Sequence, residues 1–322
     1  MARRNPTTAG EAAVAVRRPS FQMGETLKRF AAKIPLHVSV IGLAALWSIP
    51  TIALLVSSFR DPGLVVTSGW WNAIKNPFDF TLDNYETVLD RQGMAKSFLN
   101  SLIITVPSTL GVIFVAALAA YAFAWMQFPF RNALFLIMVA MLVVPLQMTL
   151  IPVLKLYVQL NETFSFLNND MPVLGGRIFG TNSYAGIWLA HTAYGLPFAV
   201  YLLRNFFGGL PRDLFESAYL DGASDLKVFY RIVLPLSMPA IAALAIFQFL
   251  WVWNDLLVAL IFLGDPDRAP MTLTITNLVS SFGTAYQLLT AAAFISMALP
   301  LVVFFALQRY FVQGILAGAV KG

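Results

Sequence analysis

Phe98–Trp125 reads FLNSLIITVPSTLGVIFVAALAAYAFAW, 28 residues without one Asp, Glu, Lys or Arg. Crossing the hydrocarbon core of a bilayer takes about 20 residues of helix, so the stretch is long enough to span. It must be helical, because lipid offers the backbone no hydrogen-bond partners. Five more stretches of this kind surround it, at about Ile34–Ser57, Ala133–Tyr157, Tyr184–Phe206, Pro239–Leu263 and Leu288–Arg309. Several carry proline inside: Pro50, Pro107, Pro145, Pro152, Pro197 and Pro300. Membrane helices tolerate proline as a kink, since neighbouring helices can satisfy the freed carbonyls. The expected fold class is an all-α membrane protein of six transmembrane helices. The first stretch reads as a retained helix and not a cleaved signal, because it follows a 33-residue polar leader and has no small-x-small cleavage site.

Composition agrees with this and excludes several chemistries. Hydrophobic residues make up 58% of the 322 and charged residues 11%, against about a quarter charged in soluble domains. The net charge of +5 comes from positive residues clustered beside the apolar stretches, a topology signal and not one for nucleic acid. Cysteine is absent, which removes disulfides, thiolate metal sites and cysteine nucleophiles. The two histidines, His37 and His191, lie in different apolar segments, which argues against a metal centre. No Gly-x-x-x-x-Gly-Lys-[Ser/Thr] phosphate loop occurs, so the chain is expected to bind no cofactor and to hydrolyse no ATP. With the N-terminus inside, 14 Lys and Arg fall in cytoplasmic segments and 7 outside. That bias places both termini in the cytoplasm.

Residues 1–33 are expected to be a cytoplasmic basic leader, largely disordered, 34–309 the transmembrane domain with a cytoplasmic loop at 208–238, and 310–322 a cytoplasmic tail. Gly24–Lys33 reads either as a short basic helix on the anionic inner leaflet or as a solvated tail that fixes topology.

Between the fourth and fifth spans lies LPRDLFESAYLDGASDLKVFYRIVLP, Leu210–Pro235. It reads as two short helices. Asp213 is the expected N-cap of the first, with Glu216 three residues on as in a capping box. Leu214, Phe215, Ala218 and Tyr219 share a face by spacing and form an expected apolar knob. Gly222 is the expected stop, where glycine accepts the left-handed conformation. Ser224 or Asp225 caps the second helix, and Pro235 ends it. About nine residues of helix reach only roughly 13 Å, so the first helix cannot span and lies at the cytoplasmic face. From these properties alone it reads equally as an ordinary amphipathic interfacial loop.

Glu216-Ser217-Ala218, then Gly222, Ile232, Leu234 and Pro235, resemble the EAA…G…I-LP signature of ABC importer permeases, with Ser217 in place of the middle alanine. Asp221-Gly222-Ala223 resembles the carbohydrate-permease form of that signature. Thr81-Leu-Asp-Asn-Tyr85, Trp251-Val-Trp-Asn-Asp255 and the C-terminal Gln308–Gly322 extend the likeness to the smaller permease of maltose and α-glucoside (CUT1-type) importers. The resemblance implies the type I ABC importer permease architecture, in a bacterial or archaeal cytoplasmic membrane. It implies that the Leu210–Pro235 loop carries a coupling helix docking on a cytoplasmic ATPase, with ATP-Mg on that partner. Leu214, Phe215, Glu216, Ser217, Ala218, Tyr219, Asp221, Gly222, Ala223, Leu234 and Pro235 are then the coupling residues. Gln313, Gly314 and Lys321 of the tail would reach the ATPase dimer. Further implied partners are a second, homologous permease and an extracytoplasmic sugar-binding protein. In membrane lipid, Gln147, Gln248, Asn254 and Asp255 are expected to face the bundle interior, either joining helices by hydrogen bonds or lining a translocation path. A maltose-, trehalose- or other α-glucoside-type sugar is the expected solute. The alternatives are a secondary transporter, or an ABC permease for a non-sugar solute.

Overall fold

The computed structural model of the chain describes residues 23–75, 79–163, 180–282 and 285–319. They divide into two compact units, Met1–Ile52 and Ala53–Gly322. In the first unit the described residues belong to helix α1 (Met23–Ser58), which contains Gly24–Lys33 without a break before the apolar run. Ser39 and Ser48 return their hydroxyl protons to the carbonyls of Pro35 (2.8 Å) and Ala44 (2.7 Å), so neither hydroxyl needs a partner outside the helix.

The second unit continues through α2 (Pro62–Thr67), α3 (Asp83–Glu86), α4 (Met94–Trp125), α5 (Arg131–Ala140), α6 (Leu146–Thr163) and α7 (Tyr184–Phe207). Then come α8 (Arg212–Leu220), α9 (Asp225–Val228), α10 (Leu234–Leu236), α11 (Met238–Trp253), α12 (Leu257–Phe262), α13 (Met271–Phe282) and α14 (Tyr286–Ala319). Among the described residues, four segments are long and apolar enough to cross a membrane: Lys33–Ser58, Met94–Trp125, Tyr184–Phe207 and Tyr286–Arg309. Two bent helix pairs bring the number to six if each is one span.

The first pair corrects an expectation of continuous helix. The third stretch breaks between α5 and α6, which meet at 112°. Pro145 has no N–H to give and excludes its predecessor from helical geometry, and Val144 is accordingly extended (φ −75°, ψ 118°). In the second pair, the loop before the fifth stretch is helical from Asp225 to Leu236, turns through 75°, and continues as α11. Pro235 therefore does not end the second short helix: Phe229–Val233 widens into a π-turn ahead of it, and the break comes at Ser237. A π-turn next to a proline is a recognised cause of such kinks. At its far end the fifth stretch stops at Trp253 instead of running to Leu263, and α12 is a separate helix. The last span runs into α14 as far as Ala319, so the first part of the expected tail is helical.

The centre of the second unit is the α4–α7 pair. Small residues let these helices approach: a Cβ on Gly195 would come within 2.9 Å of Val112 of α4, and one on Gly111 within 2.9 Å of Thr192 Oγ1 of α7. One buried cluster unites Val112, Ala116, Ala120, Ala199, Leu203 and Phe207 with Phe215, Phe229 and Val233. The core of the bundle thus extends without interruption into the α8–α10 segment.

Candidate functional site

α8 begins two residues earlier than expected. Pro211, extended at φ −60° and ψ 130°, holds the N-cap position and offers no side-chain oxygen, so the capping box does not form. Asp213 lies in the first turn, where its charge meets the positive end of the helix. Its carbonyl accepts from Ser217 Oγ at 2.7 Å.

The other end follows the expected pattern. Gly222 sits at φ +75°. Its N–H donates to Tyr219 O and the next, Ala223 N–H, to Ala218 O, both at 3.0 Å. This pair of bonds is the Schellman closure, with Ala223 and Ala218 both packed on the core beneath it.

The expected four-residue knob is divided. Phe215 is only 2% exposed and stacks on Trp125 with ring centroids 3.6 Å apart and planes 18° from parallel. Trp125 Nε1 in turn donates to Phe207 O at 3.0 Å. Phe215 therefore points into this chain and fastens α8 across the ends of α4 and α7. Ala218 packs on the same core. What α8 presents outward is Leu214, Glu216, Ser217, Tyr219 and Leu220, the last 88% exposed.

A polar tie accompanies the aromatic one. Tyr219 OH donates to Asp225 Oδ1 at 2.7 Å, and Tyr121 OH of α4 lies 3.5 Å from the same oxygen. Partial burial, helped by Asp225, pushes the Tyr219 phenol above its ordinary pKa. The bond thus persists through and beyond the ordinary working range of pH. Asp225 spends its carboxylate here, and Ser224 at the N-cap of α9 makes no side-chain cap bond. Tyr121, Trp125 and Asp225 were not among the expected site residues. Their signal was an aromatic and hydroxyl pair at the end of a span, facing a short polar helix.

The four expected interior polar residues part company. Gln147 is exposed. Gln248 is buried, and its amide packs against α7 so closely that a Cβ on Gly195 would come within 2.7 Å of it. Asp255 Oδ2 accepts from the N–H groups of Val258 (3.0 Å) and Ala259 (3.1 Å), so it caps α12, with His191 Nε2 4.0 Å away. Asn254 lines a cavity, and its Nδ2 donates to Leu250 O at 2.8 Å. Gln313 and Gly314 lie in the backbone of α14 with side chains outside the described residues, as is Lys321.

The other recognised segments have physical roles as well. In Thr81–Tyr85, Asn84 Nδ2 donates to the carbonyls of Ser58 (3.0 Å) and Arg60 (2.8 Å), and Tyr85 OH meets Ser58 Oγ at 2.8 Å. This clamps the segment to the end of α1. In Trp251–Asp255, the buried Trp253 donates to Ser296 O of α14 at 3.0 Å. At the end of the bundle remote from α8, Lys96 pairs with Asp267 at 2.6 Å and holds that exposed carboxyl below its ordinary pKa. Asn100, beneath, donates to Asp267 O and Ala269 O.

A family model described as binding-protein-dependent transport system inner membrane component matches residues 111–317, from mid-α4 almost to the end of α14. The osmoprotective compounds uptake permease protein GgtD of Synechocystis sp. is 53% identical, covering 91% of this chain and 93% of its own length. The alpha-glucoside transport system permease protein AglG of Rhizobium meliloti is 41% identical, covering 89% and 96%. Among solved structures, a bacterial ABC transporter involved in the import of the acidic polysaccharide alginate superposes with a TM-score of 0.67 at 18% identity, over 91% of this chain and 100% of that one.

Proposed function

The chain belongs to the binding-protein-dependent transport system inner membrane component family and is a non-catalytic permease subunit of an ABC-type carbohydrate importer; from that premise we propose that α8 is its contact with the ATPase and that its solute is an α-glucoside-type sugar. The observation that carries the first part is α8 itself. It is a nine-residue helix rooted by Phe215, closed at a left-handed Gly222, and outward-facing through Glu216, Tyr219 and Leu220. In this reading Glu216 and Asp221 are the polar contacts to the ATPase, Leu214, Tyr219 and Leu220 the apolar ones, and Ser217, Ala218, Gly222 and Ala223 shape the helix and its exit. Phe215, Leu234 and Pro235 position it from behind. The Lys and Arg bias supports an orientation with the α8 end and both termini in the cytoplasm.

One chain has one such helix, so a second homologous permease completes the path, with two ATPase copies beneath and a sugar-binding protein outside. ATP closure draws the two coupling helices together and turns the path outward; hydrolysis resets it. The C-terminal Gln313, Gly314 and Lys321 are assigned to the ATPase interface. The 41% likeness to an alpha-glucoside permease supports the solute. A second reading, a small osmoprotective solute, is favoured by the 53% relative.

The test is to co-express the chain with its chromosomal neighbours, identify what co-purifies, and assay ATP turnover. An ATPase and a second permease should be recovered, with turnover raised by the loaded binding protein. Glu216→Lys should uncouple uptake from ATP turnover and leave insertion intact. Normal uptake by that variant would contradict the docking assignment.

A further inference from the structure

The helix that leads from α8 toward α11 has two unlike faces. It runs from Asp225 to Leu236 through α9, the π-turn and α10. Val228, Phe229 and Val233 are buried in the core shared with α4 and α7. Leu226, Lys227, Tyr230, Arg231 and Leu236 face outward, with Leu226 60% and Tyr230 50% exposed. Two pairs spaced four residues apart make up that outer face: Leu226 with Tyr230 and, beside them, Lys227 with Arg231. Among the described residues neither cation has an ion-pair partner. Asp225, the single acid of this helix, is engaged by Tyr219 OH at 2.7 Å.

The bend at Ser237 sets the depth of the outer face. The Asp225–Leu236 helix is about 18 Å long, and at 75° to α11 it advances only about 5 Å along the α11 axis. It therefore lies nearly flat at the level where the membrane-crossing helix begins. The headgroup layer on one side of a bilayer is roughly 5–8 Å thick, so the helix fits within it. A flat helix there turns its apolar side chains toward the acyl boundary and its cations toward the headgroups. Tyrosine suits the same level, with its ring in the apolar boundary and its hydroxyl in the polar layer. Charge decides between headgroups. A zwitterionic choline headgroup brings its own cation, whereas a net-negative one complements both Lys227 and Arg231.

We propose that Leu226, Lys227, Tyr230 and Arg231 form a docking face for an anionic phospholipid of the inner leaflet. The two cations hold the lipid phosphate, and Leu226 and Tyr230 lie against the start of its chains. The choice of leaflet rests on the importer reading, which places the α8 end in the cytoplasm; the contact with an anionic headgroup does not.

The chain has no cysteine, so Leu226→Cys supplies a single attachment point for an NBD fluorophore. Cysteines in the partner subunits are replaced, and the assembled importer is placed in phosphatidylcholine nanodiscs. Quenching is then compared between phosphatidylglycerol and phosphatidylcholine, each doxyl-labelled near the headgroup and present at equal mole fraction. The phosphatidylglycerol probe should quench at least about threefold more strongly, and the difference should shrink in high salt. Lys227→Gln with Arg231→Gln should abolish the difference, and Lys227→Arg with Arg231→Lys should preserve it. Equal quenching by the two probes, or a difference that survives the Gln pair, would overturn the anionic-lipid face. So would a fluorophore untouched by either lipid and shielded from aqueous iodide only when the ATPase is bound, which would assign the face to that protein. A preparation that keeps the lipid difference but has no ATPase associated would support the lipid face and contradict the importer reading.

Discussion

Gly222 is the residue on which the chain turns out of α8. Nothing lies within 4 Å of a Cβ built there, so its requirement is conformational, set by φ +75°. A side chain in the left-handed region costs about 1–2 kcal/mol, and Asn bears it better than Ala. Sugar uptake should therefore fall in the order Gly222, Gly222→Asn, Gly222→Ala, with membrane insertion unchanged in all three. Equal uptake rates for the Asn and Ala variants would show that the turn is not what matters. Gly222 was legible in the sequence because a glycine after an amphipathic run has one common physical cause. Phe215 was misplaced on the outer face for an equally physical reason. Spacing of three and four residues groups side chains on a helix surface, but it cannot tell which side of that group another element will cover.

At the scale of elements, α8 is held by two ties of different chemistry: the Trp125–Phe215 stack and the Tyr219–Asp225 bond with Tyr121 beside it. The stack joins α8 to α4; the bond joins α8 to α9, with Tyr121 of α4 3.5 Å from the shared carboxylate oxygen. A hydrogen bond to a charged group contributes about 1.5–3 kcal/mol where buried; half-exposure of Tyr219 reduces this to about 1 kcal/mol. In a double-mutant cycle of Tyr219→Phe and Asp225→Asn, thermal unfolding of the purified assembly should show losses that do not add. Sugar moved per ATP should drop in both single variants. Additive losses with an unchanged transport ratio would remove the tie from the mechanism. The breaks in the third and fifth stretches belong to this scale too. Pro145 was visible in the sequence, but whether a proline kinks a span or breaks it depends on the helices around it. The cap that starts α12 was hidden because Asp255 reads from sequence as an intramembrane charge.

For the whole molecule, most of the architecture was readable from apolar runs, since a bilayer leaves the backbone few options. The α8 segment was readable in part because it is local: its stop at Gly222 was legible, while the cap fell at Pro211 and Phe215 turned inward. The cavity at Asn254 was not, because Thr272 and Thr276 of α13 and Ser296 of α14 reach it from helices that no spacing rule joins to α11. The central claim is that the outward face of α8 meets the ATPase. Leu220, 88% exposed, is the place to ask. A photo-reactive amino acid installed at position 220 of the assembled importer should crosslink to the nucleotide-binding subunit in the membrane. Crosslinks to lipid or to this chain alone, in an assembly that still couples ATP turnover to uptake, would contradict the account.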